Sequence, residues 1–314
     1  MLLIRGLHNI RQQHKGCVLT IGKFDGVHQG HQAVLANLQS KATELGLPSA
    51  VMVFEPQPEE VFAPQHAPAR LSRWRDKYDL LKEVGMDRLL CVHFTNKFAS
   101  QSAREFIKDV LVDKLGVKFL VVGDDFRFGK GRSGDFAMLV AAGEEFGFSV
   151  VSTASFRLAD CRISSTAIRE ALANNDFARA NTMLGREFAI KGRVVPGQKK
   201  GRTIGFPTAN VNLKRAKAPV TGVFAVHIHH AQHVYQGVAN IGARPTVCGE
   251  DALLEVHIFD FAQEVYGDTI AVTLQHKLRD IQKFATFAEL KTQIIEDAQQ
   301  ARTFFKNKST NTST

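Results

Sequence analysis

No apolar stretch in this sequence approaches the roughly 20 residues that a bilayer-spanning helix needs, so no transmembrane helix is expected. The first residues, Met1 to Arg11, carry Arg5 and Arg11 and lack the apolar core and small-residue cleavage site of a signal peptide. A cytoplasmic location and no membrane partner are the expectations. Cysteine is scarce: Cys17, Cys91, Cys161 and Cys248 stand apart, with no CxxC pair and no Cys/His ligand spacing. Neither a disulfide framework nor a zinc site is expected, and no thiol is paired with a placed base. Cys17 and Cys91 fall in apolar runs and read as small core residues. The Walker A lysine loop is also missing, so any phosphate cradle here is of another kind. No internal repeat relates one half of the chain to the other.

Positive charge, by contrast, is plentiful. Forty Lys and Arg face 31 Asp and Glu, a formal net charge of +9 that favours anionic partners such as nucleotides and phosphorylated metabolites. The basic residues are dispersed and no aromatic-basic ladder accompanies them, so nucleic acid is not an expected partner. A hydrophobic share of 44% over 314 residues is that of a globular chain long enough for two domains.

The first half alternates strand and helix signals. Apolar runs at Cys17–Gly22, Ser49–Phe54, Arg88–His93, Lys118–Gly123 and Ser149–Ser152 read as strands. Helical periodicity fills His31–Gly46, Ser72–Gly85 and Ser100–Gly116, the last two opening on serine and all three closing on glycine. Strands alternating with helices of this length predict an α/β domain, Rossmann-like, with a parallel sheet covered on both faces. After a short helical linker at Asn174–Gly185 the pattern changes. Short β-branched runs at Ala189–Val195, Gly222–His230, His233–Ala239, Leu253–Phe259 and Thr269–Leu274 predict an antiparallel β-barrel. Thr286 and Glu289 form a capping box for a closing helix to about Phe305. The expected domains are 1–184 and 185–306, with a disordered polar tail at 307–314.

The segment from Thr20 to His31, TIGKFDGVHQGH, follows the first strand and opens the first helix. Gly22 and Gly26 permit tight turns, and the helix start offers unpaired N–H groups to an anion. His28 and His31 put two imidazoles beside the same place. Attack on an α-phosphate needs such preplaced donors, because charge builds on the phosphate oxygens; losing one costs ~3 kcal/mol, roughly a hundredfold in rate. Ile163-Ser-Ser-Thr-Ala-Ile-Arg169 supplies a second phosphate signal: Ser164, Ser165 and Thr166 suit a helix cap, and Arg169 suits charge neutralisation. Phe54-Glu-Pro-Gln-Pro58 and Gly123-Asp-Asp-Phe-Arg-Phe-Gly129 both follow strands, at the carboxyl ends where open α/β sheets bind ligands.

The second half opens with Gly192-Arg-Val-Val-Pro-Gly197 and continues Gly201-Arg-Thr-Ile-Gly-Phe-Pro-Thr-Ala-Asn210. Glycines at this spacing let backbone approach phosphates closely. Together these motifs, in this order, resemble the bacterial bifunctional riboflavin kinase/FMN adenylyltransferase (FAD synthetase) family over about residues 15–305.

The resemblance implies two ATP-dependent reactions: riboflavin to FMN, then FMN to FAD with release of pyrophosphate. In the first domain it implies ATP binding by Gly22, Phe24, Asp25, Gly26, His28, His31, Ser164, Ser165, Thr166 and Arg169, with His28, His31 and Arg169 catalytic. It implies a flavin pocket with Phe54, Pro56, Pro58, Asp125 and Phe128; relatives often carry Asn where Asp125 stands. In the second domain it implies ATP binding by Gly192, Gly197, Gly201, Arg202, Gly205, Phe206, Pro207, Thr208 and Asn210. Thr208 and Asn210 would ligate Mg²⁺, an ion that prefers few, hard oxygen ligands. Glu255 corresponds to the base that takes the ribityl hydroxyl proton, and Arg279 to a flavin contact. Two rivals stand beside this expectation: an adenylyltransferase for another acceptor with a degenerate second domain, and a nucleotide- or RNA-binding protein.

Overall fold

The computed structural model describes residues 1–153, 163–196, 206–213, 217–246 and 249–311. It divides into two compact units: Met1–Pro68 with Trp74–Ser164, and Ala69–Arg73 with Ser165–Thr314.

The first unit is built on a six-stranded, wholly parallel sheet in the order β1-β4-β3-β2-β5-β6. Its strands are β1 (Leu2–Arg5), β2 (Cys17–Ile21), β3 (Ser49–Glu55), β4 (Arg88–His93), β5 (Val117–Val122) and β6 (Ser149–Ser152). Its helices are α1 (Gln29–Leu45), α2 (Pro58–Phe62), α3 (Trp74–Glu83), α4 (Asn96–Ala99), α5 (Ala103–Glu105) and α6 (Phe136–Phe146), with a π-helical stretch at Phe106–Lys114. Every residue of β2 is buried, as a strand covered on both faces requires. Separate apolar clusters cover the faces: Leu19, Met52, Leu90, Ile107, Leu111 and Leu139 on one, Val18, Leu35, Leu38, Val51, Leu81 and Leu89 on the other. The strand order reverses at β2 and β5, so a crevice opens at their carboxyl ends, where such sheets bind ligands.

The sequence reading missed β1, in which only Ile4 is buried and no alternation shows. The helix expected from Ser100 starts later, because Ser102 and Glu105 form the capping box.

The second unit holds α7 (Ser165–Ala173), α8 (Phe177–Leu184), a closed barrel and α9 (Phe287–Asn311). The barrel order is β10-β11-β8-β7-β12-β9, all pairs antiparallel. The strands are β7 (Ala189–Val195), β8 (Ala209–Asn212), β9 (Gly222–His230), β10 (His233–Thr246), β11 (Gly249–Ile258) and β12 (Thr269–Arg279). Ile190, Val211, Phe224, Ile241, Leu254 and Val272 fill the interior. Glu289 N–H donates to Thr286 Oγ1 at 3.2 Å, the expected cap. The helix then runs on to Asn311, past Phe305 and into the polar stretch read as a disordered tail.

Candidate functional site

The loop between β2 and α1 is held in backbone conformations that side chains rarely take. Phe24 (φ 47°) and Val27 (φ 39°) both have positive φ, beside Gly26 at 83°. For a β-branched residue this is strain, which persists where surrounding structure demands it and which clusters at functional sites. Its product is an ordered helix start. His28 is the N-cap of α1, its Nδ1 accepting from the His31 N–H at 3.2 Å. That bond puts the proton of a neutral His28 on Nε2. The N–H groups of Gln29 and Gly30 find no acceptor among the described residues, which leaves them for an anion.

His31 lies one turn along and its ring stacks on that of His28, centroids 3.6 Å apart and planes 16° from parallel. Phe24 closes the other side, its ring centroid 4.9 Å from that of His31. The His31 Nδ1 is buried without a hydrogen-bond partner. Burial, the neighbouring His28 and the charge of Lys77 hold His31 well below the usual histidine range, so the ring is neutral at neutral pH. Gly30 has to be small: a Cβ there would meet the Ile163 carbonyl at 3.2 Å and the His28 ring at 3.3 Å. The start of the second phosphate motif therefore touches the first. Asp25 is buried in the same loop.

Ser165, Thr166 and Arg169 belong to α7 in the second unit. There Arg169 Nε donates to the Ala69 carbonyl at 2.6 Å, fixing α7 to the Ala69–Arg73 segment.

Beyond β3 and β5 lies a cavity of about 820 Å³ in the first unit. Gly22, Phe54, Pro58, Asp125 and Phe128 line it; Pro56 does not. The sequence reading missed most of its aromatic wall. Phe62, Phe94 and Phe98 also line it, and Phe54 meets Phe94 edge-on at 5.6 Å and Phe98 at 5.8 Å. Phe126 stacks on Phe128 at 5.6 Å. Arg127, Lys130 and Arg132 add positive charge to a largely apolar surround, in which Lys23 is paired with Glu59. An aromatic slot with a basic rim suits a flat, anionic ligand.

In the second unit, register assembles the site. Glu255 on β11 lies opposite Asn210 on β8 and opposite Asn240 on β10. Their inward neighbours Leu254, Val256, Ala239 and Ile241 are buried, so Asn210, Glu255 and Asn240 form one row on the outer face of the barrel. Asn240 Nδ2 donates to Glu255 Oε2 at 3.4 Å. Thr208, Pro207 and Asn210 line a cavity of about 280 Å³ with Val194, Val256 and Tyr266. His257, two residues beyond Glu255, donates from Nδ1 to the Pro207 carbonyl at 3.0 Å and so anchors the segment that carries Thr208.

Three expected residues take other places. Gly192 faces the barrel interior, where a Cβ would collide with Val211, so its smallness serves strand packing. Phe206 packs against the Phe259 and Phe305 cluster, not into the cavity. Arg279, expected to touch flavin, has its guanidinium occupied by the protein: Nε and Nη2 donate to the Asp297 carboxylate, both at 2.8 Å, and Nη1 to the Asp280 carbonyl at 3.0 Å. Gly197, Gly201, Arg202 and Gly205 lie outside the described residues.

Of the described cysteines, neither takes part. Burial pushes the Cys17 thiol up to about 12 and that of Cys91 up to about 11, which keeps both protonated and unreactive. Cys161 and Cys248 lie outside the described residues.

Family models match both halves: FAD synthetase over residues 10–167 and riboflavin kinase over residues 184–305. The bifunctional riboflavin kinase/FMN adenylyltransferase of Escherichia coli K12 is 54% identical over 97% of this chain and 98% of its own length. Its counterpart in Haemophilus influenzae is 52% identical over 98% of this chain and the whole of its own. A crystal structure described as a macrolide-efflux protein from Streptococcus pneumoniae, 31% identical, matches with a TM-score of 0.75 over 96% of this chain and 99% of its own. No helix among the described residues is long and apolar enough to cross a membrane.

Proposed function

The chain belongs to the family of bifunctional riboflavin kinases/FMN adenylyltransferases, and from that premise we propose which of its residues carry each reaction. It phosphorylates riboflavin to FMN and adenylylates FMN to FAD. The functional division follows the motifs, 1–184 for adenylyl transfer and 185–306 for the kinase.

In adenylyl transfer, a phosphate oxygen of FMN attacks the α-phosphate of ATP and pyrophosphate leaves. The stacked His28 and His31, with the N–H groups of Gln29 and Gly30, donate to phosphate oxygens as negative charge builds there. Gly22, Phe24, Asp25 and Gly26 shape that loop. Ser164, Ser165, Thr166 and Arg169 keep the phosphate contacts that their motif implies. Phe54, Pro58, Asp125 and Phe128, joined by Phe94 and Phe98, take the isoalloxazine ring in the aromatic cavity.

In the kinase reaction, the ribityl hydroxyl attacks the γ-phosphate of ATP and ADP leaves. Glu255 accepts the hydroxyl proton; Asn240 holds one carboxylate oxygen and leaves the other for substrate. Mg²⁺ bound at the kinase site would supply neutralisation of the phosphate charge during transfer. The Thr208 hydroxyl and the Asn210 carbonyl oxygen, both on the cavity wall, are the hard donors that fit it. Because both reactions consume ATP, the reading places the chain in the cytoplasm.

The observation that carries the assignment is the cross-strand row Asn210–Glu255–Asn240 beside the Thr208 cavity, a second phosphate site separate in sequence from the His28 loop. It is tested with riboflavin, ATP and Mg²⁺, the flavins being separated by chromatography. Glu255→Gln should abolish FMN formation and leave conversion of added FMN to FAD intact; His28→Ala should do the reverse. A folded variant that lost both activities would defeat the assignment.

A further inference from the structure

One buried charge in the first unit has no role in the steps above. Lys77, in the first half of α3, has none of its surface exposed. Burying an ammonium group is expensive, and buried lysines are retained where their charge acts on something.

The topology fixes which turn of α1 this residue lies beside. β2, β3 and β4 are adjacent and parallel, so the right-handed crossovers that contain α1 and α3 lie on one face of the sheet and run in the same direction. Leu35 and Leu38 of α1 share an apolar cluster with Leu81 of α3. Near the far ends of the two helices, Gln39 Nε2 donates to the Val84 carbonyl at 3.0 Å. Stepping back equally along both helices from that bond, about 10 Å at 1.5 Å per residue, brings Lys77 level with Gln32. That is the first turn of α1, the turn that carries His31.

We propose that Lys77 is a positioning residue for adenylyl transfer: its buried ammonium adds to burial and to the stacked His28 ring in keeping His31 a neutral hydrogen-bond donor to the nucleotide's phosphates. The inference rests on the adenylyl-transfer reading of His28 and His31. The His31 Nδ1 is sealed from solvent without a partner, so a proton there would be a buried, unsatisfied donor. The neutral ring therefore carries its proton on Nε2. A second proton would also bring positive charge against His28, stacked at 3.6 Å, and against Lys77. Phe24, the ring on the other side, is uncharged. Around Lys77 itself, Cys91 on β4 feels both its charge and that of Glu55 at the end of β3. A neutral His31 donates to a phosphate oxygen without losing a proton to the ATP it binds, and so keeps its donor throughout the reaction.

The test uses the full chain with Lys77→Met and Lys77→Arg. Adenylylation of FMN should fall about ten- to a hundredfold in kcat in Lys77→Met and largely recover in Lys77→Arg, the scale on which residues that orient a functional group act. Riboflavin phosphorylation should not change. By NMR, with the His31 signal assigned through His31→Gln, the imidazole should stay neutral to well below pH 6.5 in the unmutated protein. In Lys77→Met its midpoint should move up, because one of the charges opposing protonation has gone. Unchanged kcat in Lys77→Met, or an unmoved His31 midpoint, would overturn the proposal. Should Lys77→Met fail to fold, the uncharged Lys77→Gln takes its place in both measurements, with the same outcomes overturning the proposal. Full adenylylation by His28→Ala would instead remove the reading on which the inference rests.

Discussion

His28 does two things that an alanine substitution alone would confound. Its Nδ1 caps α1, and its ring forms half of the imidazole stack. Asparagine also caps well, accepting from the same N–H through its side-chain oxygen. His28→Asn should therefore keep the stability of the first unit, whereas His28→Ala should lose about 1 kcal/mol in urea unfolding. Both should lose roughly a hundredfold in adenylylation of FMN, because neither supplies an imidazole. An active His28→Asn would reduce the residue to a cap. The spacing His28-x-Gly-His31 was legible because strand, glycine and helix start stand in one continuous segment. Lys77 was not. In sequence it sits among Arg75, Asp76 and Asp79, which reads as a solvated helix face, and lysine is almost never fully buried. Only the packing of α3 beside α1 shows that this lysine points inward.

At the scale of elements, alternation and turn residues located most strands, yet the kinase site is made by register between them. β8 is four residues long and carries no strand signal of its own in the sequence; it is the strand that sets Asn210 opposite Glu255. Nothing in the spacing of Asn210, Asn240 and Glu255 reveals that they are lateral neighbours. That follows from which strands pair in the closed barrel. The same limit explains Arg279. Its partner Asp297 lies on α9, and the two meet through two hydrogen bonds with the Asp297 side chain only 5% exposed and that of Arg279 20%. The pair ties the end of β12 to α9. Removing one member of a buried pair leaves the other uncompensated, so Asp297→Asn should destabilise the second unit by about 2–4 kcal/mol in urea unfolding. Riboflavin phosphorylation should weaken with it, while adenylylation of FMN should hold. A change below about 0.5 kcal/mol would mean that water replaces the carboxylate at no penalty, as at an exposed pair.

At the scale of the molecule, the two reactions have separate machinery: a histidine-capped helix at a sheet's carboxyl edge, and a row of side chains on a barrel's outer face. Each unit has its own apolar interior and its own cavity. The kinase product FMN is the substrate of the adenylyl site, and the net charge of +9 suits a chain that binds ATP and FMN, both anionic. If each site works alone and FMN passes through solution, a chain crippled at one site can supply a chain crippled at the other. Glu255→Gln by itself should leave riboflavin untouched, and His28→Ala by itself should stop at FMN. Mixed in equal amounts with riboflavin, ATP and Mg²⁺, they should make FAD, after a lag that shortens as the His28→Ala share is raised. The lag belongs to this scale because it measures how fast free FMN builds up toward the level that the adenylyl site needs. Failure of the mixture, with each variant still active on its own added substrate, would show that FMN does not pass freely from one chain to another.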